Sequence, residues 1–483
     1  MYFIIKPHPE VFTKSESVRK RFTKILECNI RNILKRRLPS VAVYNKRTHI
    51  EVSIKQYDTK VIDYLSKIPG INYFLEVVKF NFDNLDEISE ISNKFYHEVI
   101  ENKSFCVRVK RRGNHNFSST EVERKIGSDL FQSVKKTRVD LKKPEVAINI
   151  EIDGDEFSIV KRRYNALGGF PLGTQESVLS LISGGYDSSA SSYQHIRRGS
   201  KVHFCFFNLG GPDHERSVKE VAHFIWNEFG SSAKVNFITV DLNPVIEDIL
   251  EHVSDGYMGV VLKRMFMKIS GEIAKKLKIE ALVTGEALGQ VSSQTLSNLK
   301  LIDLATDRLI LRPLITSDKE EIIQLTKNIG TEELCKSIPE YCSIISKKPT
   351  IKADFNKLIL EESKVKENSI SQCIEGAKLE DIRQVIATKN EGFSPVNTVS
   401  VLDENEDVLL DIRSNNEIES SPLDFDFSNI LEIPFYKLVS KFPSLDQSKN
   451  YVLYCDRQVM SRLQAIHLIE SGFKNVAVFE KTK

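Results

Sequence analysis

The chain has 483 residues, of which 41% are hydrophobic and 28% are charged. This composition is typical of a water-soluble protein with roughly two to four domains. No apolar run approaches the length of a membrane-spanning helix, and the amino terminus "MYFIIKPHPE" lacks the charged start and long apolar stretch of a secretory signal. The sequence therefore argues against a membrane partner and predicts a cytoplasmic protein.

The formal net charge of +2 conceals an asymmetry along the chain. Residues 1–165 contain 32 Lys and Arg against 22 Asp and Glu, a balance of +10, and the remaining residues contain 36 against 44, a balance of −8. A basic excess of this size in the front third favours a polyanionic partner such as a nucleic acid.

The front third alternates between predicted strands and helices. The predicted strands include "THIEVSI", "INYFLEVVKFNF" and "SFCVRVKRRG". The predicted helices include "LDEISEISNKFYHEVI" and "SSTEVERKIGSDLFQSV", the second of which opens with a Ser/Thr cap. This order predicts a compact α+β unit.

The pieces "VRVKRRG", "VDLKKPEVAINIEI" and "GGFPLGT" resemble the THUMP domain of RNA-modifying enzymes, which a small ferredoxin-like domain commonly precedes. The resemblance implies a ferredoxin-like domain over residues 1–60 and a THUMP domain over residues 61–165. It also implies contacts with RNA phosphates, for which the candidates are Arg108, Lys110, Arg111 and Arg112. The alternative is a solvated basic strand edge, which discourages sheet-edge aggregation.

The stretch "LISGGYDSSA", residues 181–190, lies between a short apolar strand and a helical segment. Gly184 and Gly185 allow the backbone to approach a ligand closely. Ser183, Asp187 and Ser188 surround the first helical turn, whose free N–H groups favour an anion. The turn is therefore a predicted phosphate site, although no Gly-Lys pair of a Walker-type loop occurs in the chain. The alternative is a tight Gly-Gly turn that caps the next helix.

From residue 176 onward, apolar runs alternate with helical segments. The runs are "VLSLI", "KVHFCFFNL", "VNFITVDL", "EALVTGE" and "LILRPLI". Such runs predict a parallel sheet covered on both faces, here over residues 174–395. Ligands of these sheets bind at the carboxyl ends of the strands, where the Gly-Gly turn lies.

The pattern S-G-G-x-D-S after a strand resembles the PP-loop of the adenine-nucleotide α-hydrolases. Members of that family bind the pyrophosphate part of ATP and transfer AMP to a substrate carbonyl. The resemblance implies ATP as the cofactor, with Mg²⁺ accompanying it near Asp187.

The seven cysteines, at positions 28, 106, 205, 335, 342, 373 and 455, are widely scattered. No C-x-x-C pair and no Cys/His cluster of zinc-ligand spacing occurs. The sequence therefore predicts neither a disulfide framework nor a tightly bound metal, and a cysteine that matters is expected to be reactive.

Residues 403–483 form a further alternating α/β unit. Cys455 follows the apolar strand "YVLY" and precedes a predicted helix that begins near Met460, with Arg457 and Arg462 close in sequence. A helix amino terminus and neighbouring arginines favour the thiolate form of a cysteine. "LLDIRS" and the position of Cys455 resemble a rhodanese domain, whose cysteine carries sulfur as a persulfide. The alternative is a buried structural cysteine.

The order of segments, together with "GQVSSQT" and "PEYCS", resembles the tRNA 4-thiouridine synthases (tRNA sulfurtransferases) that carry a rhodanese tail. By position, this resemblance implies ATP contacts at Leu181, Ile182, Lys263, Gly285 and Gln294, with Phe206 and Phe207 as further candidates. It also makes Cys342 the cysteine that pairs transiently with Cys455.

Lys319 is a further candidate for the chemistry. It lies just inside a predicted helix that Ser317 caps and in which Glu320 completes a capping box. Together with Asp187, it would act on the pyrophosphate or the adenylate. The alternative is an ordinary exposed lysine in a first helical turn.

The resemblance implies that the chain adenylates the C4 carbonyl of uridine 8 in tRNA and replaces the oxygen with sulfur from Cys455, which gives 4-thiouridine. The implied partners are tRNA, a cysteine desulfurase as persulfide donor and a sulfur-carrier protein of the thiazole pathway in thiamine biosynthesis. Two alternatives are another carbonyl-adenylating PP-loop enzyme and a non-enzymatic sulfur carrier or RNA-binding scaffold. The lack of a glutaminase segment argues against an amidotransferase-type enzyme.

Overall fold

The computed structural model describes residues 1–38, 40–46, 48–55, 58–336, 338, 348–386, 397–404, 406–413, 418, 421–423, 425, 427–455 and 459–480. The chain divides into two compact units. The first comprises Met1–Gln175 with Arg197–Gly199, and the second comprises Glu176–Ile196 with Ser200–Lys483. None of the helices in these ranges combines the length and the apolar character that crossing a membrane requires.

The first unit is built on one mixed sheet. Its strands are β1 (Tyr2–Pro7), β2 (Val41–Asn45), β3 (Ile50–Ile54), β4 (Ile71–Asn81), β5 (Ser104–Arg112), β6 (Arg138–Val139), β7 (Val146–Asp153) and β8 (Glu156–Asn165), in the order β2-β3-β1-β4-β8-β7-β5-β6. Its helices are α1 (Pro9–Phe12), α2 (Glu16–Arg37), α3 (Lys60–Ser66), α4 (Leu85–Tyr96) and α5 (Ser119–Ser133). The predicted α+β organisation is confirmed, including the Ser118 cap of α5.

Two apolar cores pack against this sheet. Leu26 of α2 and Val61 of α3 belong to the first core, and Ile88 of α4 and Ile126 of α5 belong to the second. Strand β4 joins the two halves, because it pairs antiparallel with both β1 and β8. The first core includes Val61 and Ile71, so it continues past residue 60, where the sequence analysis placed the domain boundary.

The second unit begins with a six-stranded sheet. Its strands are β9 (Val178–Leu181), β10 (Val202–Asn208), β11 (Asn236–Asp241), β12 (Ala281–Val283), β13 (Leu309–Leu311) and β14 (Lys378–Asp381), in the order β13-β12-β9-β10-β11-β14. Its helices are α6 (Tyr186–Arg197), α7 (Gly211–Ile225), α8 (Asn243–His252), α9 (Asp255–Lys276), α10 (Leu296–Asp303), α11 (Lys319–Ile329), α12 (Glu332–Lys336), α13 (Phe355–Glu362) and α14 (Glu367–Glu375).

The predicted parallel sheet is confirmed for β9 to β13, which pair in parallel. Strand β14 was not predicted, and it runs antiparallel beside β11. Its sequence "KLED" contains no apolar run and its side chains are exposed or half-buried, so the hydrophobic pattern gives no signal for it.

A second parallel sheet closes the described part of the same unit. Its strands are β15 (Asn397–Val399), β16 (Asp407–Asp411), β17 (Ile430–Glu432), β18 (Asn450–Tyr454) and β19 (Val476–Phe479), in the order β15-β19-β18-β16-β17. Helices α15 (Phe435–Lys441) and α16 (Val459–Glu470) accompany it. The predicted alternation of strands and helices in the tail is therefore present.

Candidate active site

The turn between β9 and α6 has the geometry of a ligand-binding loop. Gly184 has φ +82°, a conformation that favours glycine, and an added Cβ would also crowd Ile338 Cδ1 at 2.5 Å. At Gly185 the nearest atom to an added Cβ is Ser183 Oγ, 3.7 Å away. Gly185 therefore leaves open space above the first turn of α6, where a ligand can approach the backbone.

Serine hydroxyls hold this turn in shape. The Ser183 N–H donates to Ser188 Oγ at 3.2 Å, and the Ser188 hydroxyl donates to the Gly185 carbonyl at 3.2 Å. Ser189, which is fully buried, donates to the same carbonyl at 2.8 Å. The loop is therefore organised before any ligand arrives, which lowers the entropic cost of binding.

Asp187 lies in the first turn of α6 and has two partners from distant segments. Lys319 Nζ is 2.9 Å from Asp187 Oδ1 and 3.2 Å from Oδ2, and Gln290 Nε2 donates to Oδ2 at 3.0 Å. The structure thus brings together Asp187 and Lys319, two of the predicted catalytic residues, and adds Gln290, which no sequence motif singled out.

The predicted cap of α11 was wrong by one residue. Asp318, not Ser317, is the N-cap, and Glu321, not Glu320, completes the capping box. The Asp318 carboxylate accepts from the Glu321 N–H at 2.8 Å, and a carboxylate satisfies this orphan donor as well as a hydroxyl does. Lys319 is consequently the first residue of the helix, and its side chain reaches Asp187.

A cavity of about 510 Å³ opens beside this turn. Its lining includes most of the predicted nucleotide contacts, namely Leu181, Ile182, Ser183, Gly185, Asp187, Ser188, Phe206, Phe207, Lys263, Gly285 and Gln294. Gly184 and Lys319 are not part of the lining, although Gly184 shapes the turn and Lys319 holds Asp187.

Aromatic and polar side chains both line the cavity. Phe207 and Phe266 stack on each other, with ring centroids 4.5 Å apart and planes 14° apart. Ser183, Asp187 and Gln294 are among the polar lining residues. A nucleotide suits such a lining, because aromatic surfaces stack on a base and free N–H groups bind phosphates.

Gly285 connects the loop after β12 directly to the phosphate-binding turn. A Cβ at this position would lie 2.6 Å from the Asp187 carbonyl carbon and 2.8 Å from the Ser188 nitrogen. Because backbone atoms cannot give way as a flexible side chain can, only glycine fits here. This close approach explains why glycine occupies position 285, and the contact of Gly285 with ATP stays a prediction.

His214 of α7 also lines the cavity, although no sequence motif singled it out. Its ring is 6% exposed and meets Phe206 edge-on, with centroids 4.8 Å apart. Burial lowers the pKa of His214 to about 4, and a bond with the Ser183 backbone only partly opposes this effect. The imidazole is therefore neutral at physiological pH.

Cys455 follows β18 and lies against the amino-terminal part of α16. The Ser461 N–H donates to Cys455 Sγ at 3.3 Å, and the Cys455 thiol and the Ser461 hydroxyl are 3.4 Å apart. Both side chains are buried. The helix amino terminus was predictable from the sequence, whereas Ser461 was not, because a serine six residues after a cysteine belongs to no local motif.

A buried ion pair supports the strand end beside Cys455. Arg413 donates to Asp411 Oδ2 at 2.6 Å and to the Ser421 carbonyl at 2.7 Å, and its guanidinium lies 5.0 Å from the ring centre of Tyr454. Of the arginines predicted near Cys455, Arg462 is exposed and lies 3.7 Å from Glu480. Arg457 lies outside the described residues, as does Cys342.

Several other cysteines are packing residues, as predicted. Burial raises the pKa of the Cys205 thiol to about 12 and that of Cys373 to about 11, and it also raises the pKa of Cys335. Thiols with such values are poor nucleophiles at neutral pH. Cys106 is likewise buried, and Cys28 is half-buried.

The four basic candidates on β5 fall into two pairs. Arg111 bonds to the Gly113 carbonyl and to His115, and Arg112 bonds to Thr48 and His49. Arg108 and Lys110 are exposed, lie two residues apart on one face of the strand, and make no hydrogen bond or ion pair within the described part of the chain. These two side chains are the more accessible to a polyanion.

Three family models match the chain. The model described as "Thiamine biosynthesis protein (ThiI)" matches residues 173–367, a THUMP domain model matches residues 82–160, and a ThiI ferredoxin-like domain model matches residues 2–74. Proteins named tRNA sulfurtransferase from Vibrio parahaemolyticus and Photobacterium profundum are 56% and 53% identical over 481 residues, which are 99% of this chain and 100% of each relative. The chain belongs to the tRNA sulfurtransferase family.

A solved structure supports this assignment. The crystal structure of a 4-thiouridine synthetase in complex with RNA and bound ATP covers 79% of this chain and 99% of its own, with 26% sequence identity and a TM-score of 0.70. The predicted α/β multidomain fold, with ferredoxin-like, THUMP and PP-loop parts, is thereby confirmed. The ferredoxin-like match extends to residue 74, in agreement with the extent of the first core.

The low pKa of His214 predicts a loss of stability in acid. Between pH 6.5 and about 4, the unfolded state binds a proton that folded His214 does not, so the free energy of unfolding falls as the pH falls, by about 3 kcal/mol for this group. The His214→Gln variant should show a flatter dependence. The readout is urea unfolding followed by the fluorescence of Trp226, the single tryptophan, with the exposed His252→Gln as the control. Equal slopes for the wild type and His214→Gln would contradict the assignment.

The contact between Ser461 and Cys455 predicts an effect on thiol reactivity. Ser461→Ala removes a hydroxyl that can donate to the thiolate but keeps the backbone N–H. Loss of one such bond should slow alkylation of Cys455 by iodoacetamide at pH 7 by about threefold to tenfold. Mass spectrometry of the Cys455 peptide measures the rate, and the exposed Ser448→Ala in the same domain is the control. An unchanged rate in Ser461→Ala would refute the role of the hydroxyl.

Proposed function

We propose that the chain is an ATP-dependent tRNA sulfurtransferase that converts uridine 8 of tRNA to 4-thiouridine. The observation that carries the proposal is the combination of a cavity at the Asp187 turn, lined by aromatic and polar side chains, with Cys455, which accepts from the Ser461 N–H after a strand of a second sheet. Similarity over the full length to proteins named tRNA sulfurtransferase supports it, as does similarity to a 4-thiouridine synthetase with bound RNA and ATP.

ATP fits the cavity with its base against the aromatic side chains and its phosphates at the amino terminus of α6. Asp187 is the carboxylate that would hold a Mg²⁺ ion bound with the triphosphate, since Mg²⁺ in nucleotide sites takes one or two carboxylates together with phosphate oxygens. Such an ion would neutralise part of the phosphate charge. Lys319, released from Asp187, then adds positive charge at the leaving pyrophosphate.

The activation step makes the uracil oxygen a good leaving group. Uridine O4 attacks the α-phosphorus of ATP, pyrophosphate leaves, and the N3 proton is lost to base, which gives a C4–O–AMP bond. The neutral His214 and the ordered serine hydroxyls beside the turn add no negative charge that would repel the phosphates. The turn therefore stabilises the charge that develops on the pyrophosphate.

The sulfur step uses two cysteines. The terminal sulfur of a Cys455 persulfide, which a cysteine desulfurase supplies, attacks C4, and AMP leaves with the C–O bond electrons. The Cys342 thiolate then attacks Cys455 Sγ, the sulfur–sulfur bond to the nucleotide breaks, and 4-thiouridine is released. The resulting Cys342–Cys455 disulfide needs two electrons from a thiol reductant. The same persulfide would supply a sulfur-carrier protein for thiazole synthesis.

Separate variants distinguish the two half-reactions. Asp187→Asn should lower RNA-dependent pyrophosphate release by about two to three orders of magnitude and leave persulfide loading of Cys455 intact. Cys455→Ser should release pyrophosphate but give no 4-thiouridine, and Cys342→Ser should stop after a single turnover. Nucleoside mass spectrometry and a pyrophosphate assay measure these results, with Cys28→Ser as the control.

Pyrophosphate release that does not depend on RNA would favour another adenylating enzyme, and its complete absence in the wild type would favour a scaffold.

RNA binding through β5 predicts a change in salt dependence. Arg108→Ala combined with Lys110→Ala should weaken tRNA binding and reduce the slope of log Kd against log salt concentration by about 1.5 to 2, because each phosphate contact releases counterions. The control removes the same charge from helices, with Lys20→Ala and Lys94→Ala, both of which are exposed and paired with glutamates. Equal slopes for the two double variants would place the tRNA contacts elsewhere.

A further inference from the structure

Glu286 is a buried carboxylate in the nucleotide cavity to which the family resemblance gives no role. It follows Gly285 in the loop after β12, lines the cavity and is 3% exposed. Its Oε2 atom accepts from Arg312 Nε at 2.8 Å and from the Thr284 hydroxyl at 3.0 Å. The Oε2 atom of the carboxylate is therefore fixed by two hydrogen bonds within the protein.

The other oxygen of Glu286 has no such bonds. Oε1 is buried and has no hydrogen-bond partner within the described ranges, and Lys263 Nζ is 3.9 Å away from it. A buried carboxylate oxygen without a donor is costly, and such oxygens usually bind a ligand or water. Gln294 Oε1, in the same cavity, likewise lacks a donor.

The position of Glu286 indicates which part of ATP it meets. Lys263 Nζ lies 5.7 Å from the ring centre of Phe266, which stacks on Phe207 in the cavity lining. Glu286 itself follows Gly285, which touches the backbone of Asp187 in the Gly-Gly turn. Glu286 and Lys263 therefore lie between the place of the base and the place of the phosphates, which is where the ribose of a nucleotide lies.

The hydrogen-bonding capacities of Glu286 and Lys263 also indicate a ribose hydroxyl. ATP has few hydrogen-bond donors at neutral pH, namely its two ribose hydroxyls and its 6-amino group. A group between Glu286 Oε1 and Lys263 Nζ has to donate to the carboxylate and accept from the ammonium. A hydroxyl does both, whereas an amino group of adenine only donates.

The geometry points to Glu286 as the residue that binds a ribose hydroxyl of ATP, with Lys263 as the donor to the same oxygen. This inference rests on the proposed use of ATP. It makes Glu286 a specificity-determining residue for ribonucleotides over deoxyribonucleotides, because a deoxy analogue leaves the buried oxygen without a donor.

Binding measurements on the full-length chain test the assignment. Calorimetric titrations with the Mg²⁺ complexes of ATP, 2′-deoxyATP, 3′-deoxyATP and ITP give four affinities. One of the two deoxy analogues should bind about tenfold or more weakly than ATP, and this analogue identifies the hydroxyl. In Glu286→Gln, the amide oxygen keeps the Arg312 bond and the amide nitrogen replaces Oε1, so the preference for ATP over that analogue should disappear.

A matched variant separates this effect from damage to the Arg312 network. Asp303 accepts from Arg312 Nη2 at 2.6 Å on the solvent side, so Asp303→Asn weakens the same network and should keep the preference for ATP. If the wild type binds ATP and both deoxy analogues equally, or if Asp303→Asn loses the preference as Glu286→Gln does, the inference fails and the proposed function stands. Discrimination only against ITP would assign Glu286 to the 6-amino group instead. If ATP does not bind at all, the proposed function fails as well.

Discussion

The site depends on how closely two neighbouring loops approach each other. Gly285, after β12, lies so near the Asp187 backbone that no side chain fits between them, and β12 is the direct neighbour of β9 in the sheet. This approach places Glu286 in the cavity that the Asp187 turn borders. A bulkier residue at 285 would separate the two loops, so the parallel pairing of β9 and β12 and the glycine together define the cavity.

Each carboxylate near the cavity already has a cation from another segment. Lys319 pairs with Asp187, and Arg312 pairs with Glu286. A triphosphate carries several negative charges, and bare carboxylates beside it would repel it. Because these pairs compensate the acidic side chains, the amino terminus of α6 and Lys263 leave the cavity attractive to an anion.

The sequence predicted those parts of the site that lie within one segment. The Gly-Gly turn, Asp187 and the strand before Cys455 follow from local patterns of glycine, hydroxyls and apolar residues. Local patterns could not predict contacts between distant segments, such as those of Glu286 with Arg312, just after β13, and of Gln290 with Asp187. The capping rule also placed the start of α11 one residue too early. Serine and aspartate are both good N-cap residues, and the cap is Asp318 rather than its neighbour Ser317. Strand β14 escaped prediction because its edge position requires no apolar alternation.

The antiparallel direction of β14 determines at which end of the first sheet the chain continues towards the second sheet. Asp381, at the end of β14, pairs with Asn236 at the start of β11, so the chain leaves this sheet at the amino end of the parallel strands, opposite the cavity. Strand β11, with six residues, is roughly 20 Å long. Ile382 and Val385, just after β14, are buried, so the chain stays attached to this sheet as far as Val385. From Val385 to Asn397 the chain can span at most roughly 40 Å, about twice the length of β11. This length is enough to reach from the amino ends of the parallel strands to their carboxyl ends.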